Sequence, residues 1–228
     1  MKLKVDQIVA LKGVLAVAVL DDDGDLVKLD GAIGGAQAQW LVKTTHAINS
    51  LVETQFYAWN VLGGSGFDNL CGWVVVGPAY TVVSGNDGHV CLLQNNETDF
   101  NKALPLITDL TGNGNNRQPI NGGAVADETR LQGFETSMTW DKTHTITEFS
   151  GTEIPERLRG LLAKGCVANM NVLNAQADDY TTLGGVGIER VTTFGVLASL
   201  RSVFVRKNRA VVIESAHADF NQAVKANW

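Results

Sequence analysis

The sequence predicts an α/β fold made of two copies of one domain. Three observations predict it. The same motifs recur about 120 residues apart. Apolar, β-branched runs are separated by turn sequences such as Asp-Gly and Gly-Pro. Each copy also carries a long stretch with apolar residues at helical spacing.

The repeat is clearest at the end of each copy. Asp99-Phe100-Asn101 matches Asp219-Phe220-Asn221 at a spacing of 120 residues, and Leu62-Gly63-Gly64 matches Leu183-Gly184-Gly185 at 121. A change of one residue is expected from loops of unequal length. The stretch between the copies is rich in Gly and Asn and has the composition of a linker. We therefore divide the chain into repeat 1 (residues 1–110), a linker (residues 111–126) and repeat 2 (residues 127–228).

Each copy is predicted to begin with a short helix and a β-hairpin. In repeat 1 the helix covers Val5–Lys12 and ends at Gly13, because glycine adopts the left-handed conformation of a helix cap at little cost. Two strands, Val14–Leu20 and Leu26–Asp30, flank an Asp-Gly hairpin turn.

The rest of each copy is predicted to be a long helix, three strands and a final helix. The long helix of repeat 1 runs from about Gly35 to Trp59, and the last helix begins at Thr98 or Asp99, both good N-cap residues. Short turns between the strands imply antiparallel neighbours. These strands are Cys71–Val76, Tyr80–Ser84 and His89–Gln94. Each repeat should therefore form a five-stranded, mainly antiparallel sheet with helices on its faces, an α/β sandwich.

Composition and charge exclude several function classes. A hydrophobic content of 45% with 18% charged residues is typical of a globular protein. The net charge of −6 argues against nucleic acid as the partner, because binding phosphates needs clustered Lys and Arg. The longest apolar run, around Val14–Leu20, is far shorter than the ~20 residues of a membrane span. With no signal peptide pattern and an odd number of cysteines, a reduced cytoplasmic protein is expected.

No catalytic or metal site is predicted from the sequence. The histidines have no metal-ligand spacing, and no nucleophile–base or carboxylate pair is evident. The glycine clusters at residues 63–66 and 184–187 follow a helix and precede a strand, which is the reverse of a phosphate-binding loop, and Ser65 lacks a nucleophile context. We therefore expect no enzyme activity and no cofactor. Cys71 and Cys91 fall on neighbouring predicted strands, so a regulatory disulfide is an alternative to two buried thiols.

Several motifs together resemble the roadblock superfamily, the fold of the small dynein light chain of that name and of bacterial GTPase-regulating relatives. They include Leu11-Lys12-Gly13-Val14, the hairpin at residues 21–25, Cys71-Gly72-Trp73-Val74-Val75, Cys166-Val167-Ala168-Asn169-Met170 and both Asp-Phe-Asn motifs. The likeness covers nearly the whole chain outside the linker, and it is closest to an uncharacterised prokaryotic roadblock-like family. It implies roadblock/profilin-like domains that pair sheet edge to sheet edge with their long helices adjacent. Two tethered copies would then form an intrachain pseudo-dimer that protects their sheet edges, and two independent domains are the alternative.

The chain departs from that pattern by carrying two copies, and the copies have diverged. Cys71-Gly72-Trp73 corresponds to Thr192-Thr193-Phe194. The resemblance implies a non-enzymatic scaffold or regulatory interaction module, acting on a small GTPase or a multi-subunit complex. A small-molecule sensor with its ligand between sheet and helix is the alternative, an enzyme is the least favoured class, and further homo-oligomerisation is left open.

Two groups of residues are candidate sites. Arg201, Arg206, Lys207 and Arg209 lie on one predicted hairpin with Arg190 nearby, and they could dock an acidic protein partner or simply be a solvated hairpin. Asn49 and Asn169 occupy matching positions in the two long helices. Because Asn is a mediocre helix former, we expect hydrogen bonds that fix the register between the repeats, with a solvent-facing Asn as the alternative.

Overall fold

A computed structural model describes residues 2–61, 67, 69–110, 131–151, 156–182 and 190–225. The predicted linker, both glycine clusters and Ser65 lie outside the described residues. In chain order the elements are α1 (Lys2–Val9), β1 (Val14–Leu20), β2 (Leu26–Gly31), α2 (Gly35–Val61), β3 (Leu70–Val76), β4 (Tyr80–Gly85), β5 (His89–Gln94), α3 (Phe100–Thr108), β6 (Phe134–Trp140), β7 (Ile146–Ser150), α4 (Glu156–Thr182), β8 (Thr193–Ala198), β9 (Arg201–Arg206), β10 (Arg209–Glu214) and α5 (Phe220–Lys225).

The ten strands in the described part of the chain form one antiparallel sheet in the order β2-β1-β5-β4-β3-β8-β9-β10-β6-β7. Each repeat contributes five strands, and the two halves join through β3 and β8. At the centre of this junction Val74 lies opposite Gly195, its own counterpart at the repeat spacing of 121 residues. A pseudo-two-fold axis therefore passes between these two residues. The predicted α/β fold with a duplicated, mainly antiparallel unit is confirmed.

The sheet is covered on both faces, which explains its nearly continuous apolar strands. Side chains alternate between the faces of a strand, so Ala16 and Ala18 pack with the long helices α2 and α4. Val17 and Val19 pack instead with the short helices α1, α3 and α5. A strand with one face in solvent would alternate polar and apolar residues, whereas these strands are buried on both faces and can be apolar throughout.

The short helices α3 and α5 cap each other across the junction. The Asn101 Oδ1 atom accepts a hydrogen bond from the Phe220 backbone N–H at 2.6 Å, and Asn221 Oδ1 accepts one from Phe100 N–H at 2.9 Å. Asn101 Nδ2 also donates to Asp219 Oδ1 at 3.0 Å, and Asn221 Nδ2 donates to Asp99 Oδ1 at 2.9 Å. The duplicated Asp-Phe-Asn motif thus satisfies helix N-termini that would otherwise lack partners.

On the other face of the sheet the long helices meet at Gly165 of α4. A Cβ atom at this position would lie 3.0 Å from Trp59 Nε1 of α2, so the Trp59 ring would have to shift to admit even an alanine. Trp59 in turn packs against Phe56 and Phe67, with ring centroids 6.5 Å and 5.5 Å away. The two repeats therefore contact each other on both faces as well as through the sheet.

Two local predictions need correction. The first helix ends at Val9 rather than Lys12, although Gly13 does take the predicted left-handed conformation, with φ of 86°. Cys71 and Cys91 lie on β3 and β5, which are separated by β4, because the hairpin order in the sheet is β5-β4-β3. Strands two places apart are about 9–10 Å from each other, too far for a disulfide. All three cysteines are free thiols.

Candidate docking groove

A groove of about 1310 Å³ lies at the end of the sheet where β3 finishes beside the first residue of β8. Repeat 1 contributes the turn between β3 and β4 and the end of β5. Repeat 2 contributes the β6–β7 hairpin, the middle of α4, residues 190–192, the β9–β10 turn and the end of α5. The groove therefore exists only because the two repeats are joined.

Positive charge dominates this groove. Its described lining contains five Lys or Arg side chains and one carboxylate, in a chain whose net charge is −6. The five cationic residues are Lys142, Arg190, Arg206, Lys207 and Lys225. The carboxylate, Asp141, accepts hydrogen bonds from the backbone N–H groups of Thr143 and Thr145 at 2.8 and 3.0 Å. Asp141 is therefore engaged in shaping its own hairpin turn.

Arg206 is held in place at the end of β9. Its Nε atom donates to Thr193 Oγ1 at 2.9 Å, and its Nη2 atom donates to the Val224 carbonyl at 3.1 Å. The residue is half-buried, and this burial lowers the pKa of the guanidinium, which nevertheless stays charged at any physiological pH. The side chain thus presents a fixed, partly desolvated positive charge.

Lys225 and Lys207 extend the positive charge on either side of Arg206. Lys225 Nζ donates to the Thr98 carbonyl of repeat 1 at 2.7 Å and lies 5.3 Å from the Phe100 ring centroid. Burial lowers the pKa of Lys225, an effect that Asp99 and Asp219 partly oppose. Lys207 is exposed at the tip of the β9–β10 turn, with φ of 54°.

The side of the groove next to α4 is apolar. Trp140, Val167, Met170 and Val191 line it, and each is at most 8% exposed. These residues also belong to the core beneath the long helices. The groove thus combines a cationic rim with an apolar wall, which suits an occupant that carries both negative charge and apolar surface.

The structure brings together three of the five predicted docking residues. Arg190, Arg206 and Lys207 line the groove, whereas Arg201 and Arg209 are not among its lining residues. Arg201 lies at the opposite end of the six-residue strand β9, about 17 Å away at the usual rise per residue. There its Nε atom lies 2.6 Å from Glu135 Oε2. All four residues lie on the predicted hairpin, now β9–β10, but Arg201 is at the end of β9 away from the groove.

Lys142 and Lys225 also line the groove, although no sequence pattern singles them out. Lys142 lies in a turn, and Lys225 lies at the end of α5, far along the chain from Arg190. Neither carries a local signal of participation in a site. The strand order β8-β9-β10-β6 is what brings their segments to one end of the sheet.

The two matching asparagines do not bridge the repeats. Asn49 Oδ1 accepts hydrogen bonds from Trp73 Nε1 at 2.6 Å and Ser84 Oγ at 3.2 Å, all within repeat 1. It therefore fastens α2 to its own sheet, and the expectation of an interdomain bond is wrong for Asn49. The register between repeats is instead set by the strand pairing and the Asp-Phe-Asn contacts.

Asn169, the counterpart in repeat 2, is only 1% exposed, and its side-chain oxygen and nitrogen have no hydrogen-bond partner among the described residues. The reason lies in the divergence of the repeats. At the spacing of 121 residues, Phe194 stands where repeat 1 has Trp73, and Val205 stands where it has Ser84. Both groups that donate to Asn49 have therefore been replaced by apolar side chains.

A second polar cluster ties α1 to the β4–β5 turn of repeat 1. The Lys4 ammonium contacts Asp87 and lies 2.7 Å from Asp109 Oδ2, while the Nδ1 atom of buried His89 lies 2.8 Å from Asp87 Oδ1. Burial by itself raises the pKa of Asp87, but His89 and Lys4 together lower it to about 2. Among the described residues, no three His, Cys, Asp or Glu side chains converge as metal ligands.

Comparison with known proteins identifies a family but no function. A family model described as an uncharacterized conserved protein (DUF2173) matches residues 4–109 and again residues 128–226. No curated protein and no solved structure matches the chain. Every helix in the described part of the chain is too short or too polar to cross a membrane.

Proposed function

The chain belongs to the DUF2173 family through both of its repeats, and from this premise we propose that it is a non-enzymatic scaffold or regulatory module. Its docking site is the basic groove, and the occupant is an acidic segment of a protein partner. The observation that carries the proposal is the charge of the groove lining. It has five cationic side chains and one carboxylate, although the net charge of the chain is −6. Such local complementarity steers association and selects partners of opposite charge.

The distribution of the charges favours a polypeptide over a small anion. Lys142 comes from a hairpin beside the α4 side of the groove, and Lys225 comes from α5 on the opposite face of the sheet. Typical small-molecule pockets are enclosed and about 300–1000 Å³ in volume, smaller than this groove. An extended segment with several carboxylates can reach cations that are spread over both sides of the strand ends.

Membership of the roadblock superfamily is part of this proposal. The edge-to-edge junction of β3 with β8 and the adjacent long helices support it, because this is the pairing that the resemblance implies. By the same analogy the partner is a small GTPase or a subunit of a larger complex, and the chain acts in the cytoplasm.

A small-molecule sensor is the second candidate, and the apolar wall formed by Trp140, Val167 and Met170 favours it. Native mass spectrometry of the purified chain separates the two candidates. A retained small molecule of defined mass, lost on replacement of Met170 by Glu, would favour the sensor.

The docking proposal is tested by binding of a fluorescent peptide of alternating Glu and Leu to the full chain, with a Gln-Leu peptide as the uncharged control. Replacing Arg190 and Lys207 by Glu should weaken binding of the Glu-Leu peptide at least tenfold. Lys12 and Lys43 are exposed residues outside the groove, and their replacement by Glu makes the same change in net charge. Equal weakening by both pairs, or equal binding of both peptides, would contradict the proposal.

A further inference from the structure

The pseudo-two-fold axis gives the sheet a second end that is equivalent to the groove. It lies where β8 finishes beside the first residues of β3, next to the β1–β2 hairpin and the β4–β5 turn. We infer that the duplication has left one end of the sheet able to bind an acidic segment and the other end unable to do so, so that each chain takes one partner segment. This inference rests on the proposed function.

Four of the five groove cations have no cationic counterpart at the second end, and Arg201, which lies at that end of β9, is paired with Glu135. At the repeat spacing of 120–121 residues, Lys142 corresponds to Asp22, Arg190 to Asn69, Arg206 to Gly85 and Lys207 to Asn86. Four cations are thus replaced by two amides, a glycine and a carboxylate. A site that depends on these cations is absent from the second end.

The hairpins that border the two ends of the sheet also differ in charge. In repeat 2 the turn after β6 reads Asp141-Lys142-Thr143-His144-Thr145. In repeat 1 the turn after β1 reads Asp21-Asp22-Asp23-Gly24-Asp25, and all four of its aspartates are exposed. Four negative charges beside the second end repel a segment rich in carboxylates.

Packing prevents the second end from holding an arginine in the position of Arg206. A Cβ atom on its counterpart, Gly85, would lie 2.5 Å from the Ile107 carbonyl oxygen of α3, which is a backbone atom that cannot move independently. At the corresponding place in repeat 2, Arg206 Nη2 donates to the Val224 carbonyl of α5. The backbone of α3 thus leaves no room for a side chain at residue 85.

The β4–β5 turn of repeat 1 also keeps a negative charge that has no counterpart in the shorter β9–β10 turn. Asp87 is held by Lys4 and His89, and with a pKa of about 2 it stays ionised at neutral pH. Lys4 is shared between Asp87 and Asp109. The Lys4 ammonium is therefore already paired with carboxylates of its own chain.

The test measures stoichiometry and position on the full chain with the Glu-Leu peptide. Calorimetric titration should give one peptide per chain, and the Arg190→Glu/Lys207→Glu variant should bind the peptide at least tenfold more weakly. A benzophenone-labelled version of the peptide should crosslink to the β6–β7 hairpin and the middle of α4, and not to the β1–β2 hairpin.

The outcomes separate this inference from the proposed function. Two peptides per chain, or crosslinks at both ends of the sheet, would overturn the single-ended arrangement while leaving the docking function standing. Binding that survives the double substitution with crosslinks at the β1–β2 hairpin would overturn it as well. Absence of any binding by the wild-type chain would overturn both.

Discussion

The side chain of Asn101 accepts a hydrogen bond at 2.6 Å from the backbone N–H of Phe220, so repeat 1 caps the last helix of repeat 2. The side chain of Asn221 in turn accepts a hydrogen bond from the backbone N–H of Phe100. An N-cap normally comes from the residue that precedes the helix, but here part of each cap comes from the other repeat. Folding of the short helices is thereby coupled to association of the two halves.

The exchanged caps predict a measurable loss of stability. Replacing Asn101 by Ala should lower the free energy of unfolding by about 1–2 kcal/mol, because it removes an acceptor for the Phe220 N–H and a donor to Asp219. Urea denaturation followed by circular dichroism measures the change. Lys102→Ala, at a largely exposed neighbour, is the control and should change stability by less than about 0.5 kcal/mol. Equal effects of the two substitutions would contradict the capping role.

The two matching asparagines should respond oppositely to the same substitution. Asn49→Leu should destabilise the chain by about 1–3 kcal/mol, because it leaves the Trp73 indole N–H and the Ser84 hydroxyl without their acceptor. Asn169→Leu should be neutral or stabilising, because it removes a buried amide that has no partner among the described residues. Denaturation of both variants under identical conditions provides the comparison. A large loss of stability in Asn169→Leu would contradict this account.

The Asp87 cluster predicts a dependence of stability on pH. His89 and Lys4 hold the pKa of Asp87 at about 2, below its ordinary value of 3.8. A lowered carboxyl pKa stabilises the folded chain above the unfolded pKa, and this contribution is lost as pH falls from about 4 to 2. Because the side chain is one-third exposed, we expect a contribution of about 1–2 kcal/mol after solvent screening.

Comparison with Asp87→Asn isolates this effect. The wild-type chain should be more stable than the variant at pH 7, and the difference should shrink between pH 4 and pH 2. Asp22→Asn, at an exposed hairpin aspartate, should show a much smaller difference at every pH. A wild-type advantage that is the same at pH 7 and pH 2 would show that ionisation of Asp87 does not matter.

The cysteines should differ in reactivity. Burial raises the pKa of Cys166 to about 12 and also raises that of the fully buried Cys91. Burial, with a contribution from Asp109, raises the pKa of the half-buried Cys71 as well. Iodoacetamide should therefore label Cys71 slowly in the native chain and the other two only after unfolding. Mild oxidation should produce no internal disulfide, which intact mass measurement can check.

The junction between the repeats should survive a cut in the linker. A protease site inserted within residues 111–126 would leave the β3–β8 pairing and the Asp-Phe-Asn contacts intact, since all of them lie in the described residues outside it. The two fragments should therefore elute together in size-exclusion chromatography. Fragments that separate at micromolar concentration would show that the tether, rather than the contact surface, holds the repeats together.

Local patterns in the sequence were sufficient to predict most elements. Val14–Leu20 and His89–Gln94 are strands with the predicted bounds, and Asp99 is the N-cap of α3. Strand and cap signals come from neighbouring residues, so they can be read without knowing what packs against them. The Asp-Phe-Asn motif predicts a helix start in each repeat, but the sequence of one copy does not show that its Asn side chain caps the helix of the other.

The sequence by itself determined the duplication, the order of helices and strands, and the apolar faces that make a two-sided core. Only the tertiary structure decided that Arg190 and Lys225 share a groove, that Arg201 lies elsewhere beside Glu135, and that Asn49 bonds within its own repeat. The physical reason is that the apolar pattern of a strand specifies burial but not its neighbour in the sheet. The groove forms because β3 pairs with β8, and this pairing brings together residues that are far apart in the chain.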